Sequence, residues 1–184
     1  VSTWSGMVVR PTEEVCAALW KTKIELSPAD GFAVVAIRGG LEAASALAAE
    51  VARESRSEVL ALFMQTSVDA YSIEEHGPSG PLRRLVYARE GAGWATIEGE
   101  ARPWEVDLHF HGDREGFLTN LHEHEWSDAE IDAAAAAWDA RSVAMLPRLP
   151  PLTARAFSSF VARYGKTAAV ADRRGFLARL LRFG

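Results

Sequence analysis

FAVVAIRGGLEAASALAAEVARESRSEVLALFMQT, residues 32–66, decides the fold. Its opening, FAVVAIR (32–38), is apolar at successive positions, so both faces of a strand would be buried, as in the middle of a sheet. Gly39 and Gly40 break that strand. From Leu41 to Glu54 the period becomes helical: Leu41, Ala44, Ala48 and Val51 share one face, with Glu42, Glu50, Arg53 and Glu54 elsewhere. SEVLALFMQT (57–66) returns to a strand that is apolar on both sides. Strand, helix and strand at this length predict a right-handed βαβ crossover with two parallel strands.

Upstream, MVVR (7–10) reads as a strand, TEEVCAALW (12–20) as a short helix, and KIEL (23–26) as another strand ended by the turn residues Ser27-Pro28-Ala29-Asp30-Gly31. Downstream, SVDAYSIEE (67–75), the turn Gly77-Pro78-Ser79-Gly80-Pro81, LRRLVYARE (82–90) and WATIEGE (94–100) read as an antiparallel meander. Trp104 to His111 alternates strictly, with Trp104, Val106, Leu108 and Phe110 opposed to Glu105, Asp107, His109 and His111, which predicts a last strand with one wet face.

The remainder is helical. Ser127 and Glu130 have capping-box spacing, and Trp126 with Ile131 has that of a hydrophobic staple. The helix they open carries the stripe Ile131, Ala134, Ala135, Trp138 and Met145 and is expected to run to about Met145, before Pro147. ARAFSSFVARYG (154–165) places Phe157, Phe160, Val161 and Tyr164 on one helical face, with Gly165 as the stop. DRRGFLARLLRFG (172–184) groups Leu177, Leu180 and Leu181 against Arg174 and Arg182. The expected fold is therefore α+β: a mixed sheet with one βαβ crossover and an antiparallel meander, followed by three C-terminal helices. It forms a single domain over 1–184, with a sheet part at 1–111 and a helical part at 126–184 packed on it.

Composition narrows the class. With 48% hydrophobic and 24% charged residues the chain has the balance of a globular protein. It has no apolar run long enough for a membrane span and no recognisable signal peptide. One cysteine, Cys16, forbids an internal disulfide and fits a reducing, cytoplasmic setting, where it serves as a small buried hydrophobe. Lysine is scarce beside arginine and alanine, the bias of a high-GC bacterial genome. Charge is uneven: +7 from Arg148 onward leaves −12 on the first 147 residues, against a total of −5. The acidic body argues against a nucleic-acid partner, and the basic end is expected to dock on that body.

Ser67-Val68-Asp69-Ala70-Tyr71, then Arg84-Leu85-Val86-Tyr87, then Gly99 and Pro103-Trp104-Glu105 carry a resemblance. Over about 58–110 the chain resembles uncharacterised small α/β proteins of high-GC bacteria, actinobacterial and myxobacterial. The resemblance implies a meander and transfers no activity and no functional residue.

Chemistry concentrates in HFHGDREGFLTNLHEHE (109–125), which holds four of the five histidines. Imidazole and carboxylate are ligands of transition metals and agents of proton transfer. His109 and His111 would leave one face of a strand, and with Asp113 the string H-x-H-x-D resembles the opening of the metallo-β-lactamase motif. Arg114 stands where that motif has its next histidine. H-x-H-x3-E, through Glu115, resembles the first half of the cupin motif, without the later glycine or a second motif. The alternation of the strand also accounts for His109 and His111 as plain wet-face residues. His122 and His124 share a face only in extended chain. Gly39-Gly40 lacks the spacing of a phosphate-binding loop, and no serine nucleophile motif occurs.

Two functions of different class are expected from these residues. The favoured one is a non-catalytic cytoplasmic protein-binding module of immunity or accessory type, with no cofactor, whose contacts include Trp94, Trp104, Arg173 and Arg174. The alternative is a small enzyme using a divalent metal held by His109, His111 and Asp113 with His122 or His124. Convergence of the two H-x-H pairs in a pocket would favour the enzyme.

Overall fold

In the computed structural model, which describes residues 3–91, 93–165 and 167–171, the stretch that opened the reading becomes two strands and a helix. These are β2 (Ala33–Ile37), α2 (Gly40–Ser55) and β3 (Val59–Gln65). Before them come β1 (Thr3–Val9) and α1 (Glu13–Lys21), and after them β4 (Ala70–Gly77), β5 (Gly80–Ala88) and β6 (Gly93–Gly99). Four helices follow: α3 (Glu105–His109), α4 (Arg114–Glu123), α5 (Asp128–Asp139) and α6 (Ala154–Arg163). A last strand, β7 (Thr167–Ala171), closes the described chain. The architecture is α+β, as expected.

Among the described residues seven strands form one sheet in the order β6-β5-β4-β3-β1-β2-β7. Neighbours are antiparallel except β2 and β7, which pair parallel. The expected crossover takes a different form. β2 and β3 run the same way, because β1 is antiparallel to each, but β1 lies between them. Met7, Val8 and Val9 are all buried, so β1 needs cover on both faces and takes the central position. β7, in a stretch left unassigned by the sequence pattern, supplies the parallel pair.

The sheet is covered differently on its two sides. On one, Met7, Val35, Ile37, Val59 and Ala61 pack against Val15 and Leu19 of α1 and Ala44, Leu47, Ala48 and Val51 of α2. On the other, Val8, Leu62, Tyr71, Ile73 and Leu85 pack against Leu108, Phe157 and Phe160, with Trp4, Trp94 and Trp104 at the margin. A third cluster joins α4 and α5 through Phe110, Phe117, Leu121, Trp126, Ile131 and Ala134. The capping box of Ser127 and Glu130 forms, and Trp126 and Ile131 both lie in that cluster.

Three expectations of local structure are corrected. Residues 23–26 are not a strand: Lys23 turns the chain at φ 63° so that Ile24 folds under α1 into the first core. α5 stops at Asp139 rather than near Met145, because Arg141 adopts φ 50° and the Ser142 amide closes back on the Ala137 carbonyl; Met145 is 50% exposed. Residues 104–111 are not a strand but hold the short helix α3. Their alternation is two interleaved i, i+4 pairs. Trp104 and Leu108 pack into the sheet core, whereas Val106 and Phe110 pack into the α4–α5 cluster. A helix bridging two cores needs two apolar stripes, and over eight residues these mimic a strand. Residues 172–184, with Arg173, Arg174 and the third expected C-terminal helix, lie outside the described residues. Among the described residues no helix is long and apolar enough to cross a membrane.

Candidate functional site

The histidines do not share a face. His109 ends α3 and is buried, its ring edge-on to Trp94 at 5.8 Å between centroids. Its Nε2 lies 3.9 Å from Glu105 Oε2 and has no hydrogen-bond partner. Burial, with the nearby Arg83 guanidinium and His111, pushes its pKa down to about 3, so the ring is neutral at physiological pH. His111 follows the helix, half-buried, and burial lowers its pKa also. Asp113 is the N-cap of α4, its Oδ1 accepting the Gly116 amide at 2.7 Å. His122 and His124 lie at the far end of α4, exposed, with His124 Nδ1 2.8 Å from the Asn120 carbonyl. Eight residues of α4, Arg114 to Leu121, thus separate the two H-x-H pairs. Among the described residues no group of three or more His, Cys, Asp or Glu side chains is gathered to hold a metal.

Beneath α3 lies a set of buried charges that the alternating reading hid. Glu105, fully buried, receives Nε and Nη2 of Arg83 at 2.9 and 2.8 Å, a fork-to-fork pair. Arg83 Nη1 also donates to the carbonyls of Glu98 and Gly99, and the Arg102 amide donates to Glu105. Gly99 is needed there: at φ 81° a Cβ would stand 2.1 Å from the Leu82 carbonyl oxygen. Beside this pair, Glu75 accepts from Arg102 at 2.7 and 3.0 Å and from the Trp104 indole at 2.8 Å. The two carboxylates hold residues 99–109 against β4 and β5.

A second polar cluster sits on the opposite face. Ser45 of α2 donates to Glu74 of β4, and its hydroxyl lies 3.2 Å from His76 Nε2. Arg84 adds a 3.0 Å contact to Glu74. The His76 imidazole, its Nε2 3.6 Å away, a hydrogen bond from Ser45 and the charge of Arg84 lower the Glu74 pKa to about 2 against partial burial. In a nucleophilic triad the imidazole stands between hydroxyl and carboxylate, one nitrogen facing each. Here the hydroxyl reaches the carboxylate directly and one nitrogen faces both, so Ser45 has no base in line. Sequence reasoning placed Glu74 and Glu75 at a strand end. They lie within β4 and point to opposite faces, one toward α2 and one toward α3, as strand alternation requires.

The expected contact tryptophans are pins rather than open anchors. Trp94 packs on Tyr87 and His109 and donates to the Pro150 carbonyl at 3.0 Å. Trp104 packs on Phe160 and donates to Glu75. Among the described residues the exposed large hydrophobics are Trp20, Phe32, Ile97 and Met145. Of these, Ile97 lies on β6, which ends the described sheet and pairs there only with β5. No periodic signal marked Ile97; its exposure follows from its edge position.

The chain matches no protein-family model, no curated protein and no solved structure.

Proposed function

We propose that the chain is a non-catalytic protein-binding module of immunity or accessory type, acting on another protein. The observation that carries this reading is the open edge of the sheet. Among the described residues β6 has no strand on its outer side, and it carries an isoleucine that is 51% exposed. Monomeric proteins guard such edges, because they invite an incoming strand. The charged groups behind the edge support the reading, since Glu105, Arg83, Glu75 and Arg102 fix the strand pair β5–β6 to α3 and give a rigid platform. A preorganised surface loses little entropy on binding.

The test is affinity capture from the native host with the wild-type chain and with Ile97→Asp, after melting curves establish that both are folded. A protein retained by the wild type and lost with Ile97→Asp is the expected outcome. Equal recovery of the same proteins by both chains overturns the reading of this edge as the contact.

A further inference from the structure

We infer that the occupant of the β6 edge is an extended basic segment of another protein, added as an antiparallel or parallel strand beside Thr96–Glu98; this rests on the binding role proposed above. Val86 pairs with Thr96 and Tyr87 with Trp94, which leaves Ala95 as a bulged residue. From Thr96 to Glu98 the ladder is regular, opposite Val86, Leu85 and Arg84, and it ends at Gly99, which turns to φ 81° with its carbonyl accepting from Arg83. In such a ladder alternate residues direct both N–H and C=O toward one neighbour, so one or two of these three residues direct them outward, and the Glu98 carbonyl takes a 3.4 Å contact from Arg83. Beyond Gly99 the exposed chain continues through Glu100 and Ala101.

Charge selects the occupant. Ile97, Glu98, Gly99 and Glu100 are consecutive and exposed, so the seam carries one apolar side chain on the Leu85 face, followed by two carboxylates, of which Glu98 is on the Arg84 face. Arg84 approaches Glu98 only at 4.0 Å and is held more closely by Glu74 at 3.0 Å. A second copy of the chain would bring four carboxylates to one seam, and the Ala95 bulge shortens the edge it could use. Both features discourage self-pairing. A strand with Lys or Arg opposite the carboxylates and a β-branched or aromatic residue beside Ile97 meets no such penalty. It gains backbone hydrogen bonds, apolar contact and charge complementarity together.

The experiment uses the full chain and a displayed library of random short peptides. The expected enrichment is for Lys or Arg alternating with β-branched or aromatic residues. Binding of an enriched synthetic peptide, followed by fluorescence anisotropy, is expected to weaken about tenfold or more in Glu98→Lys/Glu100→Lys. N-methylation at alternate peptide positions should abolish binding in one phase and spare it in the other, a pattern that simple charge attraction does not produce. Enrichment without basic residues, indifference to the double charge reversal, or no dependence on N-methyl phase overturns the inference. A host protein captured equally by wild type and Glu98→Lys/Glu100→Lys overturns it too, while leaving a binding role intact on another surface.

Discussion

The two faces of the sheet are built on different physics. Under α1 and α2 the packing is aliphatic and small, from Val15 and Leu19 to Ala44, Ala48 and Val51. Under α3 and α6 it is aromatic at the centre, with Tyr71, Phe157 and Phe160, and ionic toward β5, where Arg83 and Glu105 lie buried. An aliphatic face is non-directional and gains in proportion to area. An ionic seam holds only while every partner is present, because a buried charge left alone is costly. The comparison teaches that the sheet is stabilised generally on one side and keyed to a particular chain path on the other.

The sharpest way to break that contrast is to remove one partner of the seam. Glu105→Ala leaves the Arg83 guanidinium buried and unpaired, and the expected loss is about 3–5 kcal/mol of unfolding free energy in urea denaturation. The double variant Arg83→Met/Glu105→Leu should recover most of it, since the packing volume remains and no charge is stranded. A double variant as unstable as Glu105→Ala would show that the pair does more than avoid a stranded charge.

On the aliphatic face the matching experiment is Leu47→Ala, with an expected loss of about 2–4 kcal/mol from lost burial and a cavity. The difference lies in the response to pH. That loss should stay constant across mildly acidic pH, because the residues around Leu47 in the aliphatic cluster do not titrate. Stability on the seam side should not stay constant. His109 has a folded pKa of about 3 against an ordinary 6.5. The unfolded chain therefore takes up a proton that the folded one refuses. The stabilisation is complete above the unfolded value and falls away as pH drops from it toward 3, by at most about 1.4 kcal/mol per pH unit. His109→Gln should flatten the urea-stability profile between about pH 6 and pH 5, well above the range in which Glu74 protonates. An unchanged slope would mean that the ring is protonated inside the fold.

The same contrast explains what could be read from sequence. β2 and β3 were legible because burial on both faces leaves a continuous apolar run, and α2 because its single aliphatic face imposes a helical period. The capping box of Ser127 and Glu130 was legible because its partners lie three residues apart. α3 was not, since Trp104 and Leu108 serve one core and Val106 and Phe110 another, and two helical stripes sum to a strand-like alternation. The Arg83–Glu105 pair spans 22 residues of chain, and no local spacing announces it. His109 looked like a ligand because burial and solvent-facing alternation predict opposite environments from one pattern. Ile97 was missed for the converse reason: its exposure depends on which strand ends the sheet, a property of topology rather than of neighbours in sequence.

The smallest expected effect comes from the margin of the aliphatic face, where Ser45 projects from α2 to Glu74 and His76. Ser45→Ala removes one donor from a carboxylate that remains paired with Arg84, so the expected loss at neutral pH is about 1 kcal/mol. Its pH dependence carries the sign. The Glu74 pKa of about 2 lies below the ordinary 4.5, so its stabilising contribution is present above 4.5 and is lost as pH falls toward 2. Without the serine that pKa should rise, and the gap between variant and wild type should therefore narrow as Glu74 protonates in both. A gap that persists unchanged at low pH would mean that Ser45 acts by packing alone, which would place the boundary between the aliphatic and polar regions of this face beyond Ser45 rather than at it.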